Sequence, residues 1–427
     1  MEKLILILAF YLPFQVALNP GEGIDLASIR VLILLLFAIW LLGGLKNKKI
    51  IIRKNWQTAL IATFLFLNVL SVIMARNLDW SARKLLFLFS LFPLYFVISS
   101  RPYNREKIKR LIAILLASGT LAAAIGIIQF FAQFIAGLDR VYKFWALDVI
   151  PIFLGKSFSE AVLANPSWLV NIGGHTYLRA TATFPDPHMF SFYLGLLIPL
   201  ALGMFFAAEG KKLLLAFSLA ILLLADILTF SRGGYLGLLA GAIAIAVIFW
   251  SRIGKKYKLA ALAAVGLAAV VLSVSSPVSQ RFFSIFNFRE GSNQGRIETW
   301  RQAVEVVASH PLLGVGIGNY PLEIKASASY RDPIYAHNAY LDVAAETGII
   351  AALVWIALLF SAGKIFFIKG KKDILLQMGA VSLLIFAAHS LVETGIYSPV
   401  VLTLLLIIIS LSAYAGRTDQ TRMDQPD

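Results

Sequence analysis

The chain has 427 residues, of which 59% are hydrophobic and only 14% charged, and its mean hydropathy is +0.80. A soluble domain carries about a quarter charged residues, so this composition excludes an ordinary water-soluble enzyme and points to a membrane protein. With no cysteine, a disulfide framework and a thiolate ligand or nucleophile are excluded as well, and the formal net charge of +15 has to be read by its distribution.

Twelve apolar runs follow one another along the chain, near 4–18, 26–45, 56–74, 85–99, 111–136, 188–208, 213–230, 235–250, 259–275, 339–362, 374–391 and 399–415. Each is about long enough for a hydrocarbon core of roughly 30 Å. The expected fold is an all-α polytopic membrane protein with about twelve spans in one membrane domain, 1–427. The first run is read as a retained helix, because Lys3 is a thin positive region and "QVALNPGEG" a poor cleavage site. Short connectors such as "KNKKIIIRK", "RPYNREKIKR", "EGKK", "SRIGKKYK" and "GKIFFIKGKK" hold, with both termini, more than half of the 38 Lys and Arg. The positive-inside rule therefore makes that side, and both chain ends, cytoplasmic. The charge excess is a topology signal, and nucleic acid is not an expected partner.

Two outward segments are too long for connectors: 137–187, and 276–338 with an amphipathic helix. Both are rich in aromatic residues, among them Trp145, Trp168, Trp300 and Tyr320, which argues against disorder. In the second, Ile297, Trp300, Arg301, Val304 and Val307 recur at helical spacing, predicting a helix along the membrane surface. The following "GVGIGNYP" is not a dinucleotide fingerprint, because no strand–helix unit frames it; its glycines suit a tight turn or a backbone that a ligand approaches.

Three stretches, "TFSRGGYLGLLAG", "GRIETWRQAVEVVASHPLLGVGIGNYP" and "AHNAYLDVAAETG", together resemble the O-antigen ligase and polymerase family over about 230–350. The resemblance implies a GT-C-like bacterial glycosyltransferase of the inner membrane, with its site on the extracytoplasmic face. The implied partners are a glycan donor linked to undecaprenyl pyrophosphate, an acceptor (lipid A-core or another glycan) and membrane lipid. The ligase branch is marked by a histidine, a small polar residue, nine arbitrary residues and a glycine, which His337, Asn338 and Gly348 satisfy. The Gly, Thr or Tyr usual three residues later is Ala351 here, a departure that bears on ligase against polymerase.

Arginine suits a diphosphate leaving group, being permanently charged and able to grip phosphate oxygens through paired hydrogen bonds. The resemblance places the family's essential arginines at Arg232 and Arg296, and Arg179 resembles a third position; the alternative for each is contact with lipid phosphates. That alternative is preferred for Arg281, Arg289, Arg301 and Arg331. His337, at the mouth of the 339–362 run, is the candidate base for an acceptor hydroxyl, with an interfacial hydrogen-bonding role as the alternative. On a continuous helix, Leu341, Ala344 and Gly348 share its face, where small residues admit a helix or a lipid tail. Asp342 and Glu346 are supporting residues, placed to orient the base or pair with loop arginines.

Of the remaining histidines, His310 is read as closing a helix before Pro311, and His389 as an interhelical hydrogen-bonder. Asp186 and His188 are too few ligands for a metal site, so no metal and no cofactor is expected. Asp226, inside a span, is a functional hypothesis by default with a buried partner as the alternative. The expected function is glycan transfer by a single in-line displacement, as a ligase or a polymerase. A transporter is the reading from another class, although its polar groups would concentrate at the midplane rather than in outward loops.

Overall fold

The computed structural model describes residues 1–21, 24–164, 167–249, 273–287, 291–330, 332, 334–371 and 373–415, with isolated positions between 254 and 270. The predicted span at 259–275, Arg289 and Arg331 lie largely or wholly outside the described residues.

The described chain is helical almost throughout. Six segments are long and apolar enough to cross a membrane: Ser28–Lys46, Trp56–Met74, Leu78–Ser99, Arg105–Ala136, Pro187–Ala207 and Ile349–Lys369. Arg232–Ile248, Ile374–His389 and Pro399–Tyr414 are shorter apolar helices. The molecule is an all-α polytopic membrane protein, with six such spans among the described residues where twelve runs were predicted. The first run shows one reason. It forms a ten-residue helix, α1 (Glu2–Tyr11), which ends where Pro13 enters a short turn, and residues Ala17–Gly21 then pair antiparallel with Ile24–Ala27.

The helices that position the site are α2 (Arg105–Ala136), α3 (Pro187–Ala207), α4 (Lys212–Leu228), α5 (Arg232–Phe249), α6 (Gly291–Ser309), α7 (Ala339–Thr347), α8 (Ile349–Lys369), α9 (Ile374–His389) and α10 (Pro399–Ala415). Helix α10 is apolar on all sides and sits at the centre, Val401 to Ile409 being almost wholly enclosed. Its buried hydroxyls return to the helix's own carbonyls, Thr403 to Pro399 and Ser410 to Leu406, both at 2.6 Å. Helices α3, α4 and α5 run down, up and down, so the starts of α3, α5 and α10 and the end of α9 meet at one end of the bundle. The opposite end carries the chain between α3 and α4, the C-terminus of α8, and the Arg105–Asp373 and Lys107–Glu2 ion pairs at 2.9 and 3.1 Å.

The described residues of both long segments fold into local elements. The first folds around Val141, Tyr142, Ile150, Trp168 and Leu178. It includes a hairpin, Leu169–Ile172 with His175–Leu178, turned by Gly173–Gly174, both at positive φ. A Gly-Gly pair between short β-prone stretches is a hairpin signal the all-α expectation passed over. In the second, Gly314, Gly316 and Gly318 all take positive φ. Their missing Cβ atoms leave room for the backbone of Ala345–Thr347, Ala75 and Trp80 respectively. Of the two roles predicted for these glycines, the turn is the one observed, and it staples α7 to the rest of the bundle.

Candidate active site

The "TFSRGG" stretch is a tight reversal between α4 and α5. Phe230 sits at φ +49, and Ser231 caps α5 by accepting from the Gly234 amide at 3.2 Å. A Cβ on Gly233 would collide with the His389 imidazole, and one on Gly234 with the Ser191 hydroxyl. The paired glycines therefore let α9 and α3 close onto the first turn of α5. Arg281 fixes the reversal from outside by donating to the Phe230 carbonyl at 3.0 Å.

Arg232, first residue of α5, donates to Ser284 Oγ at 3.0 Å and to Asn293 Oδ1. Arg296 lies one turn into α6, the predicted helix of the second loop. Its Ala303 and Val306 are buried, whereas Ile297 and Val304 face outward, so the packed face differs from the predicted stripe. Arg232 and Arg296 line one cavity of about 250 Å³ with Asn293, Trp300, Phe286 and Val392, so two guanidinium groups share a largely apolar recess.

His337 precedes α7 with φ +50, and Asn338 is the cap, its Oδ1 accepting from the Tyr340 and Leu341 amides at 3.0 and 3.1 Å. The continuous helix predicted from 339 does not form. It breaks at Gly348, whose φ is +87 and whose α-carbon is pressed against the Leu312 carbonyl. His337 therefore does not head a stripe with Leu341, Ala344 and Gly348. Its ring instead meets a group the sequence reading missed, with Nδ1 3.0 Å from Glu393 Oε2.

Glu393 is the hub of the site. Its Oε1 contacts Arg296 Nη2 and lies 3.6 Å from His188 Nε2, while Oε2 holds His337. Burial alone would raise this carboxyl. The imidazoles of His188 and His337 and the guanidinium of Arg296 outweigh it, and hold Glu393 well below the usual carboxylate range. Burial alone would lower His337; the hydrogen bond and charge of Glu393 outweigh it and raise the imidazole above its usual value. The His337 side chain remains 42% exposed, against 6% for Glu393.

His188 is the second residue of α3, and its Nδ1 lies 2.9 Å from Ser231 Oγ, which in turn lies 3.4 Å from His389 Nε2. The His389 ring stacks flat on Phe192 at 3.6 Å. His389 is thus interhelical, as expected, but within the polar cluster behind Glu393. Asp186 accepts from the His188 and Met189 amides and caps α3. Among the described residues no His, Asp or Glu cluster is arranged to hold a metal ion.

Arg179 is buried and does not line the cavity. It donates to the Thr229 and Ser167 carbonyls at 2.7 and 3.2 Å, with one nitrogen 3.5 Å from His188. Burial lowers it to about 10, still a cation at neutral pH. Asp342 and Glu346 also face away from the cavity. Asp342 accepts from the Ala336 amide and from Thr394, neighbours of His337 and Glu393, and so clamps the two segments together. Glu346 pairs with Lys84 at 2.7 Å and accepts from Tyr397 at 3.2 Å, so its partner is a helix lysine and not a loop arginine. Arg301 pairs on the surface with Glu298, and His310 follows the end of α6 as expected. Asp226 is fully buried in α4 beside the Ser191 hydroxyl, with no hydrogen bond of normal geometry among the described residues.

A family model described as O-antigen ligase matches residues 215–356. Over that third of its length the chain is similar to the O-antigen ligase family. No curated protein matches it. The O-antigen ligase match runs from α4 into α8, and so takes in Asp226, Arg232, Arg296, His337 and Gly348. Arg179, His188, His389 and Glu393 lie outside it, brought to the same place by α3 and α9. One sequence signal marks Glu393: it is the only charged residue between Asp373 and Arg417, at the end of an apolar helix.

Proposed function

We propose that the chain transfers a glycan from undecaprenyl pyrophosphate to an acceptor hydroxyl at the outer face of the bacterial inner membrane, as an O-antigen ligase with lipid A-core as acceptor. The observation that carries this reading is the meeting of two guanidinium groups in one cavity, with the His337 imidazole held by the same carboxylate that contacts Arg296. The cavity end of the bundle is opposite the basic turns, which the positive-inside rule makes extracytoplasmic.

In this reading Arg232 and Arg296 receive the diphosphate, and the lipid chain and the glycan extend beyond the 250 Å³ recess. Glu393 accepts a hydrogen bond from His337 Nδ1–H, so that Nε2 carries the lone pair. The acceptor oxygen attacks the anomeric carbon while its proton passes to Nε2. The bond from that carbon to the diphosphate oxygen breaks, and its electron pair leaves with undecaprenyl pyrophosphate. Fixed cations at that oxygen stabilise the developing charge, an effect of several kcal/mol in preorganised sites. Arg179 acts at one remove, holding the turn before Arg232 and facing His188.

The test is a proteoliposome assay with a lipid-linked repeat unit as donor, offered lipid A-core or a second lipid-linked unit as acceptor. Transfer to the core alone is expected. Chain extension on the second unit alone would make the protein a polymerase, and no transfer to either would remove the reading.

A further inference from the structure

The Arg296–Glu393 contact raises a question that the proposed reaction leaves open. Arg296 lines the cavity with Arg232, yet in this structure its guanidinium already holds a carboxylate. Glu393 is almost fully enclosed and surrounded by basic groups from separate elements: Arg296 of α6, His337 before α7, and His188 of α3, with Arg179 behind His188 and His389 one turn back on α9. A diphosphate entering the recess competes with Glu393 for the same cation. An enclosed carboxylate that loses one partner needs another, and two imidazoles are within reach at 3.0 and 3.6 Å.

On the reading above, we propose that Glu393 is a resident anion that occupies Arg296 in the empty site and is handed over to the histidines when a diphosphate binds. It is a positioning residue with two states. In the empty site it neutralises the cavity wall, so that stray anions find Arg296 already paired. In the loaded site its whole charge falls on His337 and His188, so the base is oriented and made more basic only when a donor is in place. The donor and the imidazole are thereby coupled through one carboxylate, with no movement of the helices required.

The consequence distinguishes this role from simple structural support. Removing the competing charge strengthens anion binding while it weakens proton transfer. In Glu393→Gln, inorganic pyrophosphate should bind to the purified full-length protein more tightly by at least about fivefold, the low end of usual site–site coupling. Transfer at saturating donor should fall in the same variant. A merely damaged fold would weaken both, and Glu393→Asp, which keeps the competing charge, should bind pyrophosphate no more tightly than wild type. Calorimetric titration of wild type, Glu393→Gln and Arg296→Ala reads this directly. Tighter binding to Glu393→Gln with loss of binding in Arg296→Ala is expected. Equal or weaker binding to Glu393→Gln, with wild type binding normally, overturns the handover. If wild type binds no pyrophosphate and transfers no glycan, the underlying assignment of the site fails instead.

Discussion

At the scale of single residues, the proposed chemistry turns on one imidazole and the carboxylate that holds it. His337 is raised above the ordinary imidazole range by Glu393, and in the proposed role of base it works only when neutral. The rate should therefore climb with pH through this raised value and level off above it. In Glu393→Gln the lifting charge is gone, so the acid limb should move to lower pH even as the plateau drops. A pH profile of transfer in both proteins checks the sign; an acid limb that stays in place or moves up would remove Glu393 from the base. His337, Arg232 and Arg296 were legible as residues because motif and position coincided. Glu393 was not, because nothing in sequence ties a lone acid to an arginine on another helix 97 positions away. His188 and His389 were read only as too few ligands for a metal and as an interhelical hydrogen-bonder, for the same reason: each looks ordinary until Ser231 and Glu393 lie between them.

At the scale of elements, glycines decide where the helices bend and meet. The predicted helix from 339 fails at Gly348, where a left-handed backbone turns the chain beneath the Leu312 carbonyl. The "ETGII" stretch carries the stop signal, but the long apolar run masked it. Gly348→Ala should cost roughly 1–3 kcal/mol of backbone strain and contact, and displace the α7 segment that bears Asn338 and Asp342. Gly363, in the middle of α8, has open space at its Cβ position. Gly363→Ala should be neutral or stabilising by up to about 1 kcal/mol. Thermal unfolding of the two purified variants compares them in one protocol, and equal melting temperatures would contradict this account of the break. The hairpin turned by Gly173–Gly174 and the interrupted α1 were equally local events, set by Gly-Gly and by Pro13, which a count of apolar residues averages away.

At the scale of the whole molecule, the apolar runs were enough for the class, whereas the number of crossings depends on where each run bends, and the orientation rests on the basic connectors. The bundle places the charged cavity and both folded loops at one end and the basic turns at the other. The natural absence of cysteine makes the sidedness easy to test. His175→Cys and Ser329→Cys, both on exposed loop positions, should react with an impermeant maleimide on intact spheroplasts, and Glu209→Cys only after permeabilisation. The reverse pattern would put the cavity on the cytoplasmic side and exclude an outer-face acceptor.

The central claim is a division of labour, with arginines holding the diphosphate and His337 moving the proton. It is tested most directly by steady-state transfer kinetics of three purified variants in proteoliposomes. His337→Ala should lower kcat by roughly 10²- to 10⁴-fold with the donor KM little changed. Arg232→Ala and Arg296→Ala should raise the donor KM and lower kcat together, because the same cations bind the ground state and the leaving group. Near wild-type kcat in His337→Ala, or an unchanged donor KM in both arginine variants, would contradict it.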